Sequence, residues 1–416
     1  MKVLVLGGGG KEHALVWKLS ESKHIDKVYC CPGNAGIAEI AECIDVNPYS
    51  AEALIDFVKY EWIDFTIVSS EEFISKGMVS SFEREGCKAL GPNTTVSLLR
   101  SSRVFAKNLM RLYRIPSPDY KVFSSYDLAE DYVRLKGTPI VIKTDGHSKN
   151  TGVFSAQTVE EAMHALKLIM KDKIVGDAGN QVIVEESIRG ERISFVFFTD
   201  GNSMKPFASV QKYAANNISS KTNGGFSPAS EEGRNLEAVV MRKAMAQLSR
   251  ALVSEGIAFK GILSVDVILK DDKVFVSDIN CNFAHLEAQI ILPRLKTDLT
   301  EVCVALLEQR LSETDVECQQ ESSACISICG KTSPEMNVIS GLQNKGKDIF
   351  IFHEGTCFNG KDVVATGEQV LSVTALGPDL NAAMEKVEHV LEEIHFEGMH
   401  YEKLSNVEAQ AAINEQ

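Results

Sequence analysis

The chain has 416 residues, 44% hydrophobic and 24% charged, with 43 Lys and Arg against 57 Asp and Glu for a formal net charge of −14. That length implies two to four domains at about 100–200 residues each, and the acidic balance argues against a nucleic-acid partner, which needs clustered cations to neutralise phosphate. Apolar runs such as Ala162 to Met170 fall short of the roughly 18–20 residues of a membrane span, and the first residues are too briefly apolar for a secretory signal. The ten scattered cysteines form no CxxC pair, which suits buried, reduced thiols. A cytoplasmic α/β protein is the expectation.

In chain order, Val3-Leu4-Val5-Leu6 is a buried strand, and a four-glycine turn leads into a helix from about Glu12 to Ser22. Lys27 to Cys31 predicts a second strand, ending in Pro32-Gly33-Asn34-Ala35-Gly36. A helix over Ser50 to Glu61 then precedes the strand Phe65 to Val68. This alternation implies a parallel sheet with helices on both faces and ligands at the carboxyl ends of its strands. Arg114-Ile115-Pro116-Ser117-Pro118 has the character of a hinge. Strands are expected at Pro139 to Lys143, Gln181 to Glu185 and Ile193 to Thr199, with a helix over Val159 to Met170. Residues 212–235, poor in apolar side chains, are expected to be a mobile loop. A helix from about Glu237 to Glu255 and a hairpin (Gly261 to Leu269, Lys273 to Ile279, turning at Lys270-Asp271-Asp272) follow. From about Ser322 a third unit begins with short strands and closes on a helix whose Ala383, Val387, Val390, Leu391 and Ile394 share a face. Units of 1–101, 102–322 and 323–416 follow, with a mobile part at about 120–190.

Two groups of residues suggest chemistry. Gly7-Gly8-Gly9-Gly10-Lys11-Glu12-His13 is a poor dinucleotide fingerprint, because position 12 is glutamate rather than glycine and the second strand ends in Cys30-Cys31 without an acid for a ribose. A glycine turn opening a helix can bind an anion through free backbone amides, and it can equally be a structural turn. On the hairpin, Asp278 and Asn280 are two apart and so face one side, with Asp266 on the adjoining strand. Three such oxygen ligands suit Mg²⁺; the alternative is ordinary strand-end polarity. Asp278 within Phe275-Val276-Ser277-Asp278-Ile279-Asn280, and Lys143 at the end of Pro139-Ile140-Val141-Ile142, place charge inside apolar strands, where partners are required.

These residues carry a resemblance. Val3 to Leu15, Pro32 to Gly36, Pro139 to Lys143, Val184-Glu185-Glu186, Asn280-Cys281, Lys296 to Leu299 and Val370 to Gly377 together resemble the phosphoribosylamine–glycine ligase (glycinamide ribonucleotide synthetase) family in order and spacing over nearly the whole chain. The resemblance implies an ATP-grasp fold with an N-terminal Rossmann-like domain and a small C-terminal α+β domain. It further implies an ATP-dependent carboxylate–amine ligase that phosphorylates the glycine carboxylate and lets the amine of phosphoribosylamine displace phosphate. By position, Lys143 and Arg103 would contact ATP phosphates, with Lys149 in an altered phosphate loop. Glu185, Glu186 and Ile188 would form the adenine hinge, and Glu191 would reach the ribose. Asp278 and Asn280 match the family's metal-binding Glu-x-Asn and, with Lys143, its catalytic set. The cofactors implied are ATP and Mg²⁺ or Mn²⁺. The substrate side would be Gly8, Gly9, Gly10, Lys11, His13, Pro32, Gly33, Asn34, Gly36, Asn282 and His285. The partners expected are a small acid and an amine, the latter of phosphoribosyl type, with the protein a monomer or homodimer.

The chain also departs from the family. The phosphate loop, Gly-Lys-Gly in the family, is Asn150-Thr151-Gly152. Gln-Asp-His-Lys-Arg becomes Gln211-Lys212-Tyr213-Ala214-Ala215, and Arg-Phe-Gly-Asp-Pro-Glu-x-Gln becomes Asn282-Phe283-Ala284-His285-Leu286-Glu287-Ala288-Gln289, losing an arginine suited to an acyl-phosphate. Lys11 replaces a usual arginine, keeping charge but not bidentate grip. Two readings fit: ATP-dependent ligation with an altered substrate, or a non-catalytic relative that binds or partners. Asp266 favours the first, because family members usually lack it whereas biotin carboxylase and D-alanine–D-alanine ligase have an acid there. A decaying site rarely gains a ligand.

Overall fold

A computed structural model describes residues 1–146, 152–213, 223–229, 231–257, 259–330, 337–343, 346 and 348–402, with 231–234 as backbone only. The first unit comprises β1 (Lys2–Gly7), α1 (Gly10–Ser20), β2 (Lys27–Pro32), α2 (Ala35–Ala38), β3 (Glu42–Cys43), α3 (Ala51–Glu61), β4 (Phe65–Val68), α4 (Glu71–Ser75), α5 (Met78–Arg84) and β5 (Ala89–Leu90). Its strands form the expected parallel sheet in the order β3-β2-β1-β4-β5. The unbroken apolar run of β1 follows from burial on both faces. Val3 and Val5 pack with Leu15 and Leu19 of α1, while Leu4 and Leu6 pack with Leu54, Val58 and Phe82 on the other side. The strand order reverses at β1, which puts a crevice at its carboxyl end, beside the glycine turn.

Helices α6 (Leu98–Ser101) and α7 (Arg103–Leu112) lead to a four-stranded antiparallel sheet. It contains β6 (Tyr120–Phe123), β7 (Ile140–Thr144), β8 (Val153–Ala156) and β9 (Val182–Glu186), ordered β6-β9-β7-β8, with α8 (Tyr126–Lys136) and α9 (Val159–Leu166) burying its apolar face. The chain then enters a second sheet through β10 (Glu191–Thr199), β11 (Met204–Tyr213) and β12 (Gly224–Ser227), followed by α10 (Glu231–Val240) and α11 (Ala246–Ser254). The hairpin of β13 (Gly261–Lys270) and β14 (Lys273–Asn280) turns through Asp271 and Asp272, both at positive φ (47° and 59°), as a two-residue turn of the right twist requires. The linker at Arg114 to Pro118 is tied to this hairpin, because Val276 N donates to Pro116 O at 2.7 Å.

The remaining elements are α12 (Glu287–Ile291), α13 (Leu299–Glu308), β15 (Ser322–Cys329), β16 (Asn337–Val338), β17 (Ile349–His353), β18 (Thr356–Asn359), β19 (Asp362–Ala365), β20 (Gln369–Gly377) and α14 (Leu380–Leu391). The large sheet runs unbroken in the order β14-β13-β10-β11-β12-β15-β20-β17. The expected C-terminal strands therefore extend the central sheet, and α14 packs its Ala383, Val387, Val390 and Leu391 on them, with Ile394 just beyond.

One expectation is corrected. Within 212–235, β12 bridges β11 and β15, and α10 already begins at Glu231. The strand escaped notice because it pairs through its backbone and has little side chain to pattern. A Cβ on Gly225 would stand 2.7 Å from Gln211 O, and one on Gly224 would collide with the Tyr213 ring, so only glycine lets the strands close. Residues 214–222 lie outside the described residues.

Candidate active site

The two sheets meet where β9 of the small sheet passes to β10 of the large one. Lys143 on β7 is buried, and its Nζ donates to Ser277 O on β14 at 3.0 Å. Glu185 on β9 lies 3.0 Å from Lys143 Nζ through one oxygen and 3.0 Å from Lys107 Nζ through the other. Lys107 is on α7, one turn beyond Arg103. Both lysines and the glutamate are buried, so two cations share one carboxylate and a positive charge remains. Burial, and then Lys143, lower the pKa of Lys107 against the opposing pull of Glu185. Neither Lys107 Nζ nor Glu185 Oε1 completes a well-directed hydrogen bond, which leaves the pair receptive to a polar, anionic ligand.

The hairpin acids stand beside this pair. Asp266 and Asp278 are directly opposite across the β13–β14 ladder, Asn280 is opposite Ser264, and a bulge follows Asp266. The three side chains therefore share one face, as the period of two predicts. Arg103 Nε lies 3.6 Å from Asp278 Oδ2, and its guanidinium also donates to Thr144 O at 3.0 Å. Burial alone would raise the pKa of Asp278, but Arg103, Lys143 and Lys107 outweigh it and keep the carboxylate ionised. Two facing carboxylates and an amide oxygen are a hard-oxygen donor set that fits Mg²⁺.

Asp266 also accepts a short hydrogen bond from Ser194 and lies 3.4 Å from Lys212 Nζ. Lys212 continues to Glu287 Oε1 at 2.8 Å, and Glu287 is fully buried, accepting from Ser264 Oγ at 2.8 Å and Ala284 N at 2.7 Å. Burial opposes the charge of Lys212, but Asp266 and Glu287 prevail and raise its pKa.

At the far end of α12 lies the glycine turn. Glu12, the residue that breaks the dinucleotide fingerprint, folds back so that its Oε2 accepts Gly9 N at 2.9 Å and its Oε1 accepts Ser69 Oγ at 2.6 Å. It thereby caps the helix with its own carboxylate. Lys11 Nζ donates to Ser69 O at 2.6 Å, and Asn282 Nδ2 donates to the same oxygen. Asn34 donates to Gly8 O at 2.9 Å and to His353 O at 2.8 Å, while its Oδ1 caps α2 through Ile37 N. His13 Nδ1 accepts His353 N at 2.8 Å; burial lowers the pKa of His13 to about 3 and that of His353 to about 4, so both are neutral. Gly36 sits against both rings, and a Cβ there would overlap them. Pro32 ends β2, and Gly33, at φ +79°, donates to Gly7 O at 3.1 Å. His285 lies 2.8 Å from the Gln369 amide of β20.

The structure thus gathers Arg103, Lys143, Glu185, Asp266, Asp278 and Asn280 at one junction. The start of the β9–β10 connection brings Glu186, exposed, and Ile188, buried, to its edge, with Glu191 opening β10 and bonded to Gln211. Lys149 lies outside the described residues. Gly8, Gly9, Gly10, Lys11, Pro32, Gly33 and Gly36 form a second centre, in which His13, Asn34 and Asn282 direct polar atoms at protein groups and hold the loops together. Sequence reasoning missed Lys107, though a lysine four residues after Arg103 on the apolar face of a helix was a legible signal. It also gave no role to Lys212, Glu287, Gln289 or Glu354, whose meeting depends on tertiary packing.

Two sheets clasping a cationic and acidic junction of this kind define an ATP-grasp ligase. The sequence matches "Phosphoribosylglycinamide synthetase, N domain" over residues 1–99, the "ATP-grasp (A) domain" over 101–288 and the "C domain" over 330–403. It is 35% identical to the phosphoribosylamine–glycine ligase of Caldanaerobacter subterraneus over 97% of this chain and 99% of that protein, and 34% identical to that of Neisseria meningitidis serogroup B over 97% and 98%. The crystal structure of the Thermotoga maritima phosphoribosylamine–glycine ligase superposes with a TM-score of 0.82 at 21% identity, covering 96% of this chain and 99% of that one. The biotin carboxylase domain of Hydrogenobacter thermophilus 2-oxoglutarate carboxylase, solved with MgADP and bicarbonate, superposes with a TM-score of 0.73 at 14% identity, covering 96% and 91%. The chain belongs to the phosphoribosylglycinamide synthetase family. No helix among the described residues is long and apolar enough to cross a membrane.

Proposed function

We propose that this chain uses ATP to join a small amino acid, glycine foremost, to a phosphoribosyl-type amine through an acyl-phosphate, releasing ADP and phosphate. The observation that carries this reading is the Lys107–Glu185–Lys143 group facing the Asp266–Asp278 pair, a junction that can hold both a triphosphate and its cation. Mg²⁺, held by Asp266, Asp278 and Asn280, would supply charge neutralisation for the phosphates. Lys143 and Arg103 would screen the transferring phosphoryl group, while Glu186, Ile188 and Glu191 line the nucleotide's other end. Lys212, held between two carboxylates beside the metal set, would restore a cation on the acid side, where the family's arginine is missing. Asn282 and His285 differ from the family on that same side, so we infer that the acid is gripped by different residues. The glycine turn and the Pro32 to Gly36 loop would receive the amine. The domains proposed are 1–101 for the amine loops, 102–322 for the nucleotide clasp with 120–190 as its moving part, and 323–416 as the cover.

Unfolding of the full chain with and without Mg-ATP tests nucleotide binding. At about 100 times its dissociation constant a ligand adds roughly 2.7 kcal/mol, a visible shift in midpoint. ADP release that requires ATP, glycine and phosphoribosylamine together tests the ligation. No shift at millimolar Mg-ATP would overturn the nucleotide assignment, and a shift without ADP release for any acid–amine pair would favour a binding protein.

A further inference from the structure

The C-terminal unit places one carboxylate against the glycine turn that the chemistry described so far leaves unused. Glu354 follows directly on β17 and is partly buried. A Cβ on Gly10 would stand 3.3 Å from its Oε2 and 2.6 Å from Gln289 Nε2, so both side chains converge on the first residue of α1. A Cβ on Gly9 would lie 3.0 Å from Glu12 Oε2 and 4.0 Å from Glu354 Cγ, which brings both glutamates to the same turn. The helix N-terminus, ordinarily attractive to anions, is already neutralised by Glu12. Among the described residues Lys11 is the cation acting on Glu354, and its ammonium is drawn toward Ser69 O. Of the other described residues around the turn, His13 of α1 and His353 of β17 are neutral and Gln289 of α12 is uncharged. The Cys325 thiol of β15, which interacts with Glu354, is pushed up to about 12, α2 brings no titratable side chain, and His285 stands beyond, against the Gln369 amide. The mouth of the turn therefore carries an excess of negative charge and fits a cationic nitrogen.

We propose that Glu354 is the residue that meets the amine substrate, binding its ammonium form and taking its proton before the nitrogen attacks the acyl-phosphate. This rests on the ligase reading above. The ammonium gives one proton to the Glu354 carboxylate. The freed lone pair forms the C–N bond, and the C–O bond to phosphate breaks with its electron pair on the phosphate. The nitrogen's second proton goes to that phosphate, and Glu354 later returns its own to water. Burial, and then the charge of Glu12, push the Glu354 pKa up to about 7 with Lys11 opposing, close to the value a base working near neutrality needs. Helix α12 joins this point to the metal set, because Gln289 faces Gly10 at one position and Glu287, two residues earlier, holds Lys212 beside Asp266.

The test separates the two half-reactions in the full chain. With ATP, Mg²⁺ and glycine, hydroxylamine traps the acyl-phosphate as a hydroxamate without any amine substrate. With phosphoribosylamine, ADP release reports the whole reaction. Glu354→Gln is expected to keep hydroxamate formation within about twofold while phosphoribosylamine-dependent turnover falls by about 10²-fold or more. The native rate should rise with pH through about 7, and the variant should lose that limb. Equal losses in both assays would assign Glu354 a structural role and overturn the proposal, as would unchanged amine-dependent turnover. A native protein silent in both assays would overturn the ligase reading and this proposal with it.

Discussion

Lys143, on a strand of the small sheet, donates to the backbone carbonyl of Ser277, on a strand of the large sheet, at 3.0 Å. A single buried ammonium thus spans the cleft between the sheets while it shares the Glu185 carboxylate with Lys107. Rigid cations preplaced where phosphate charge develops need no reorganisation during reaction, which is what makes them effective.

Lys143→Met should lower ATP turnover by about 10²–10³-fold, the usual effect of removing one preorganised donor. Glu185 would keep Lys107 as a partner, so the fold should survive. Steady-state ADP release and a thermal melt check both parts. Turnover within threefold of native would remove Lys143 from the phosphate site.

Asp278→Asn should abolish Mg²⁺-dependent turnover. It should also change the acid limb of stability, because the native carboxylate has a depressed pKa. A depressed acid contributes stability that is present above its unfolded pKa, ordinarily 3.8, and is lost as pH falls through the folded value. The stability difference between native and variant should therefore be constant near neutrality and change only below about pH 4. Denaturant melts from pH 3 to pH 7 measure it. A difference that moves only between pH 5 and 7 would contradict the assignment.

The neutral pair His13 and His353 predicts a second pH effect at milder acidity. Their folded pKa values, about 3 and about 4, lie below the ordinary histidine value of 6.5, so the unfolded chain binds more protons between these limits. Stability is fully present above about pH 6.5 and is lost as pH falls toward the folded values, by a few kcal/mol. His13→Gln should flatten the slope between pH 6.5 and 4 in urea melts. An unaltered slope would show that the histidines are not buried neutral.

Gly8→Ala should loosen the amine loops, because the new Cβ would stand 2.5 Å from Gly33 O, a backbone atom that cannot swing away. Overpacking of this kind costs about 1–3 kcal/mol. The expected readout is a lower melting midpoint with a raised KM for the amine and little change in KM for ATP. A fully native melt would mean that the two loops can separate freely.

Local pattern accounts for most of the fold. The apolar run Val3 to Leu6, the turn at Asp271-Asp272 and the shared face of Val387 and Leu391 are visible because period, burial and turn chemistry act within a few residues. Asp278 and Asn280 were legible for the same reason, since alternation along a strand fixes a common face. Strand β12 was not, because Gly224 and Gly225 carry no pattern and are placed by close backbone approach to Tyr213 and Gln211. Family resemblance named Arg103 and Lys143 but said nothing of Lys107, whose partner Glu185 is 78 positions away on another element.

The sequence by itself determined the parallel N-terminal sheet, the hairpin with its acids and the membership of an ATP-dependent ligase family, because each rests on local periodicity or on motifs in a fixed order. Only the tertiary structure decided that Glu12 caps its own helix, that Lys212 joins Asp266 to Glu287, and that Glu354 arrives at Gly10 from the other end of the chain. Those relationships depend on charges being desolvated together by elements far apart in sequence, and no local pattern encodes which buried charge will meet which partner.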